Sequence, residues 1–224
     1  MTSLIGRFMR DLPFLREGMI PQEESGAEVT MLDYTGEEHE KLTDDDINEL
    51  SQALCCNNKF QGELKLNSND LSDLAALHLS KVFEKQDGNN VTKLKLDGNC
   101  FTSRAGEYLG HAIGNNASYP IVSITFTGIC LEDIGLTRMI EAVNCNTNIK
   151  RLDIGILTDV GLKAVSQLLA CNTTLESITI QETKDHQKLW TAEGREAFSN
   201  MLCNGTKIKR VSLHFTRENE DADN

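Results

Sequence analysis

Apolar residues recur along the chain as short alternating runs, each followed by a turn and then by apolar positions at helical spacing. The run LKLNSNDL at residues 64–71 returns as LKLDGNCF at residues 94–101, and weaker versions follow toward the carboxyl end. The central apolar residues of these runs are 32, 30, 30, 28, 26 and 33 residues apart, at Leu32, Leu64, Leu94, Ile124, Leu152, Ile178 and Val211. Such regular spacing indicates a chain built from repeats.

Each repeat carries the signals of a strand, a turn and a helix. The first helix is predicted to begin after Thr43, because Asp46 stands three residues later in the spacing of a capping box. Ile47, Leu50 and Leu54 then give this helix one apolar face. Serine or threonine precedes the helical pattern in later units as well, so local signals agree with the period.

A strand and a helix in every unit, at a period near 28, resemble the ribonuclease-inhibitor type of leucine-rich repeat. The predicted fold class is therefore α/β, a leucine-rich-repeat horseshoe (solenoid) with parallel strands on the concave face and helices on the convex face. We predict three parts: an amino-terminal amphipathic segment at residues 1–28, the repeat domain at 29–216 and an acidic disordered tail at 217–224.

Asparagine and cysteine mark the predicted ends of the units. We expect the asparagines to adopt the left-handed conformation that ends a helix, at Asn58, Asn90, Asn116, Asn146, Asn172 and Asn204. Four cysteines directly precede an asparagine at a unit end, which is Asn57 in the case of Cys56, and we expect small buried thiols at Cys56, Cys145, Cys171 and Cys203. An odd total of seven cysteines favours reduced thiols and a cytoplasmic location.

The net charge of −12 is concentrated at the two ends. Residues 23–49 hold eleven acids and one base, whereas residues 50–216 hold 17 of each. These acidic segments are interpreted either as a solvated cap and a solvated tail or as a contact surface for a basic partner. Nucleic acid is disfavoured as a partner, because phosphate recognition needs a basic stripe that the chain lacks.

The amino-terminal segment is an apolar stripe flanked by Arg7, Arg10 and Arg16. It is interpreted as a helix that covers the open end of the core, since terminal repeats need capping. A mitochondrial transit peptide and a membrane-surface or partner-binding helix remain alternatives. No run approaches the length of a transmembrane span.

No catalytic, metal or cofactor site is predicted. The five histidines are far apart, and neither a phosphate-binding glycine loop nor a nucleophile elbow is present. GTPase-activating proteins with such repeats use an arginine, and Arg104 is the nearest candidate here. It is expected inside the start of a helix, beyond the turn, so the chain is predicted not to be an enzyme.

Strand alternation predicts three rows of side chains on the concave face. Bases outnumber acids there, although the face lacks the aromatic anchors of tight interfaces. The candidate partner-binding residues on this face are Lys65, Lys93, Lys95, Arg151 and Arg210.

The carboxyl-terminal third resembles the repeat domain of the tropomodulin and leiomodin family. The resemblance lies in a helix ending in Asn-Thr, an irregular polar insertion in the last full repeat, and a terminal strand finishing in His214, Phe215 and Thr216. It implies actin as the partner and these three residues as a second contact patch. The family's long amino-terminal half has no counterpart before Val29, and its helical extension after the terminal strand is missing, so autonomous capping of filaments is not expected.

The sequence therefore predicts a non-catalytic protein–protein interaction scaffold or adaptor, cytoskeletal and tropomodulin-like in its specific form. Two alternatives stay open: a structural subunit of a ciliary or mitochondrial assembly, and a regulator of a small GTPase.

Overall fold

The computed structural model describes residues 3–23, 25–85, 90–155, 157–183, 191–203 and 208–216. Within them, seven parallel strands form one sheet in sequence order. The strands are β1 Met31–Asp33, β2 Gln61–Lys65, β3 Asn90–Lys95, β4 Ser123–Phe126, β5 Arg151–Gly155, β6 Ser177–Thr183 and β7 Arg210–Thr216. The helices are α1 Leu4–Arg16, α2 Asp44–Cys56, α3 Asp73–Glu84, α4 Ser103–Asn115, α5 Glu132–Cys145, α6 Asp159–Cys171 and α7 Ala192–Cys203.

The register of the sheet follows the predicted repeat. Leu64 pairs with Leu94, which pairs with Ile124, and the same row continues through Leu152. All four side chains are fully buried between the sheet and the helices. The predicted α/β solenoid is confirmed, because only parallel stacking at the repeat spacing brings these residues side by side.

Hydrogen bonds at the helix starts link one unit to the next. The predicted capping box is confirmed, since the Asp46 amide donates to Thr43 Oγ1 at 3.3 Å and the Thr43 amide donates to Asp46 Oδ2 at 2.8 Å. In addition, the Thr102 amide donates to Asp73 Oδ1 at 2.8 Å, and Thr191 does the same to Asp159 at 2.8 Å. First-turn carboxylates therefore satisfy backbone groups of the following unit.

The predicted left-handed asparagine caps are wrong. Helix α2 is capped by Asn57 rather than Asn58, and φ is negative at each described cap: −86° at Asn57, −112° at Asn116, −80° at Asn146 and −69° at Asn172. Asn90 begins β3 instead of ending a helix, and Asn204 lies outside the described residues. These backbones avoid the left-handed region because the side chains of the caps make the bonds that close the turn.

Each of these cap side chains joins its own turn to the preceding unit. Asn57 Nδ2 donates to the carbonyl of Met19 at 2.8 Å, while Asn57 Oδ1 accepts from the amides of Lys59 and Phe60 at 2.8 and 2.9 Å. Asn146 and Asn172 repeat this arrangement. The structural role of the asparagines at the unit ends is therefore to form hydrogen bonds between units.

A second asparagine ladder lies in the turns after β2 and β3. Asn99 Nδ2 donates to the carbonyls of Leu66 and Leu96 at 2.9 and 2.8 Å. Asn99 Oδ1 accepts from the amides of Asn69 and Leu71 at 3.0 and 3.1 Å. Because the side chain is buried, it supplies partners to backbone groups that water does not reach.

The expectation of buried thiols at the unit ends is also wrong. Cys56, Cys145, Cys171 and Cys203 are all exposed. Each is the last residue of its helix, on the side facing away from the core, and the cap asparagines that follow Cys56, Cys145 and Cys171 are the buried residues. The asparagine side chain is thus buried with its amide hydrogen-bonded, as Asn57 is with four partners, and the preceding cysteine is exposed to solvent.

Helices α4 and α5 approach unusually closely through glycine. A Cβ on Gly106 would lie 2.5 Å from the Gly135 carbonyl oxygen, and one on Gly135 would lie 2.4 Å from that of Ser103. No side chain fits at such distances. The two units that contain these helices are therefore held tightly together.

Helix α1 covers the amino-terminal end of the core. Leu4, Phe8, Leu12 and Leu15 are buried on its inner face. The Tyr34 hydroxyl donates to the buried Asp11 carboxylate at 3.1 Å. This position is the one expected of a capping helix, whereas the domain boundaries stay predictions and the tail at 217–224 lies outside the described residues.

Candidate functional site

The strands place three rows of polar side chains along the concave face. Strand register pairs all members of the first two rows and, in the third row, Gly155, Gln181 and His214, so these neighbours lie one strand apart. The first row is Glu63, Lys93, Ser123, Arg151, Ser177 and Arg210; the second is Lys65, Lys95, Thr125, Asp153, Thr179 and Ser212; the third is Asn67, Asp97, Thr127, Gly155, Gln181 and His214. All five candidate bases, together with His214 of the terminal strand, therefore border one continuous surface.

The lysines of this surface form ion pairs with acids of neighbouring strands. Lys95 Nζ lies 2.8 Å and Lys93 Nζ 3.9 Å from the carboxylate of Glu63. Lys65 Nζ lies 3.0 Å from Asp33 Oδ2. The positive charge inferred from the count of bases is thus largely neutralised within the protein.

Asp33 shows how these contacts change ionisation. Partial burial raises the pKa of its carboxyl, but hydrogen bonds from Thr35 and Lys65 lower it more, so the net pKa lies below the ordinary aspartate value. The lysine faces a carboxylate that stays ionised at neutral pH. The repeat spacing of 32 between Leu32 and Leu64 places Asp33 opposite Lys65, so the period itself could have predicted this pair.

Arg151 is paired within its own strand. Its Nη2 lies 2.6 Å from Asp153 Oδ2, and this hydrogen bond, followed by the charge of Asp153, raises the pKa of the guanidinium above its ordinary value. The Asp153 side chain is only 6% exposed whereas that of Arg151 is 58% exposed, so the carboxylate lies at the base of the surface and the guanidinium extends toward solvent. The hydrogen bond to Asp153 therefore holds the Arg151 side chain in one orientation.

Asp97 is the centre of a hydrogen-bonded cluster on the same face. Its carboxylate accepts from the hydroxyls of Thr125 and Thr127 at 2.7 and 2.6 Å, and from the Thr127 amide at 2.6 Å. A depression of about 480 Å³ lies over this cluster and over the ion pairs of Glu63 and Arg151. The Asp97 carboxylate is thus held in one orientation, whereas Asp153 Oδ1 in the same depression is buried without a hydrogen-bond partner among the described residues.

Arg210 differs from the other four candidate bases. It is exposed at the start of the terminal strand β7, and it has no ion pair among the described residues. His214 lies on the same strand, exposed and paired in register with Gln181. The backbones of Phe215 and Thr216 continue the pairing, while their side chains lie outside the described part. The binding role of these residues stays a prediction.

Other candidate chemistry is sparse in the described part of the chain. Arg104 is exposed as the second residue of α4, the predicted position. No group of three or more histidine, cysteine or acidic residues is placed to hold a metal ion among the residues described. In the same part of the chain, every helix is too short or too polar to cross a membrane.

The fold has a counterpart among solved structures. No protein-family model and no curated protein match the sequence. A structure titled "Leiomodin-1 Actin-Binding Site 2 (ABS2)" is similar to this chain with a TM-score of 0.57 and 16% identity, covering 72% of this chain and 87% of that one. At this identity the similarity establishes the repeat solenoid as the shared fold.

Proposed function

We propose that this chain is a non-catalytic scaffold or adaptor of the cytoskeleton that binds actin through the concave face and the terminal strand. The observation that carries the proposal is the similarity of 72% of the chain to a structure named for an actin-binding site. The terminal residues His214, Phe215 and Thr216 support it independently, because they match the end of the tropomodulin and leiomodin repeat domain. The repeats are assigned in the same proposal to the ribonuclease-inhibitor type.

Arg210 and Lys93 are the bases best placed to meet an acidic partner surface. Arg210 is exposed with no ion pair in the described residues, and the Lys93 side chain is 53% exposed at 3.9 Å from Glu63. The other three bases already hold carboxylates at 3.0 Å or less. A partner would have to break those pairs before using the bases, whereas Arg210 is available at once.

Co-sedimentation with filamentous actin tests the proposal, together with the rate of growth at the slow-growing filament end. The wild-type chain is expected to pellet with filaments. Arg210→Glu is expected to weaken binding roughly fivefold, which corresponds to about 1 kcal/mol. Lys163→Glu is the matched control, because Lys163 is exposed on the opposite, helical side in α6 and undergoes the same charge reversal.

The result that overturns the actin assignment is a wild-type chain that neither pellets with filaments nor slows their growth. If Arg210→Glu and Lys163→Glu weakened actin binding equally, the assignment of the binding site to the concave face would be contradicted, because a charge reversal on the helical side would then have the same effect. A structural subunit of a ciliary or mitochondrial assembly is the alternative in that case. Affinity capture of the full chain from native cells would then recover a defined complex.

A regulator of a small GTPase is a second candidate function, favoured by the exposure of Arg104 at the start of α4. It predicts faster GTP hydrolysis by the GTPase in the presence of the chain and loss of this effect in Arg104→Ala. Arg138→Ala, on the adjacent helix, is the control, because Arg138 is held by Glu141 at 2.8 Å. An unchanged rate with the wild-type chain excludes this function for the GTPase tested.

A further inference from the structure

Cys100 and Cys130 occupy the same position in two successive turns. The first turn joins β3 to α4 and the second joins β4 to α5. Both cysteines are exposed, and the residues on either side of each are buried, namely Asn99, Phe101, Ile129 and Leu131. Both turns therefore leave the cysteine on the solvent side while its two neighbours are buried.

The backbones of these two turns are held together before and after the cysteines. Before them, the Gly98 amide donates to the Thr127 carbonyl at 3.1 Å. After them, Gly106 and Gly135 meet so closely that no Cβ fits between the helices. Adjacent strands lie about 4.8 Å apart. That spacing falls within the Cα separation of about 4.4 to 6.8 Å that a disulfide needs.

The cysteines at the helix ends are arranged differently. Cys145 and Cys171 end the neighbouring helices α5 and α6 and are also exposed. Packed helix axes are about 8 to 10 Å apart. That exceeds the roughly 7 Å beyond which two cysteines cannot be joined without backbone movement. The Cys145 and Cys171 thiols, which are also exposed, therefore serve as an internal comparison at a wider expected separation.

We propose that Cys100 and Cys130 form a redox-sensitive dithiol that closes reversibly to a disulfide by exchange with a low-molecular-weight disulfide such as oxidised glutathione. One thiolate attacks a sulfur of the external disulfide, forms a mixed disulfide and releases one thiol. The second thiolate attacks the protein sulfur of that mixed disulfide and releases the other thiol. The two cysteines lose two electrons and two protons, which the external disulfide gains as it becomes two thiols.

The closed form fastens the turn before α4 to the turn before α5. These turns lie at the edge where strands end and helices begin, close to the exposed Arg104. A covalent link there restricts local opening between the third and fourth strands of the sheet. Oxidation would therefore act on a defined pair of repeats and leave the rest of the solenoid unchanged.

Peptide mapping of the full chain after incubation with oxidised glutathione tests the proposal. Trypsin cleaves after Lys95, Arg104 and Arg138, so the two cysteines fall in separate peptides, residues 96–104 and 105–138. The expected product is these two peptides covalently joined, without glutathione on either, and separated again by a reductant. Cys100→Ser is expected to leave Cys130 carrying glutathione.

The double variant Cys145→Ser, Cys171→Ser is the control and is expected to give the same joined peptides. Phenylarsine oxide, which bridges two nearby thiols, should bind the reduced wild-type chain and lose that binding in Cys100→Ser. The proposal is overturned if Cys100 and Cys130 are recovered as separate glutathione adducts, as free thiols while other cysteines are modified, or joined to other cysteines.

Discussion

Replacing Asn99 by alanine removes the side chain that links the turn after β3 to the turn after β2. Two donated and two accepted hydrogen bonds are lost, at 2.8 to 3.1 Å, and all four involve backbone groups. Asn99 itself is only 8% exposed, so water replaces few of these bonds. At about 0.5 to 1.5 kcal/mol for each bond, the free energy of unfolding should fall by roughly 2 to 6 kcal/mol.

Equilibrium unfolding in urea, followed by far-ultraviolet circular dichroism, measures this change as a lower transition midpoint. Asn58→Ala is the matched control, because Asn58 is exposed and has no side-chain hydrogen bond to the described residues. It should change the free energy of unfolding by less than about 0.5 kcal/mol. A loss below about 1 kcal/mol for Asn99→Ala would refute the reasoning, since it would mean that water or a shifted backbone satisfies the four groups.

Two further predictions concern the core and its response to pH. Leu94→Ala should lower the free energy of unfolding by about 2 to 5 kcal/mol in the same urea assay, because Leu94 is fully buried, whereas Lys95→Ala, at a half-buried position on the concave face, should cost well under 1 kcal/mol. Equal effects would mean that the two faces are assigned wrongly. Burial raises the pKa of Tyr119 from 10.0 to about 12, so its contribution to stability is complete below pH 10 and is lost between pH 10 and 12. Between pH 10 and 12 the free energy of unfolding should therefore fall less in Tyr119→Phe than in the wild-type chain. A Tyr119 phenol that titrates at the ordinary tyrosine pKa would contradict this prediction.

The concave rows were predictable from sequence, but their charge was not. Alternation in a strand determines which side chains share a face, since it depends on residues two positions apart. The pairing of Glu63 with Lys95, by contrast, joins residues of different repeats, and it depends on side-chain lengths as well as register. A count of bases and acids predicts a mildly positive surface, whereas in the structure four of its five candidate bases lie 3.9 Å or less from a carboxylate and Arg210 has no ion pair among the described residues.

The sequence predicts asparagines at the ends of the units, but the left-handed conformation that it predicts for them is wrong. Local propensity favours asparagine in the left-handed region, so a helix end followed by asparagine predicts a left-handed cap. In the structure the Asn57 amide instead donates to the carbonyl of Met19, which is 38 residues earlier in the chain. Local propensity rules do not include a partner so distant in sequence. The conformation of the cap is therefore determined by this tertiary contact and not by local propensity.

The sequence by itself determined the repeat, the parallel stacking and the buried rows of leucine and isoleucine, because each follows from a period that burial of apolar side chains enforces. Only the tertiary structure decided which polar groups pair, which asparagines link successive units and which cysteines are exposed. These choices depend on distances of a few ångströms between residues some 30 positions apart. The physical reason is that hydrophobic burial needs only a pattern, whereas hydrogen bonds and thiol pairs need a geometry that exists only after the units have stacked.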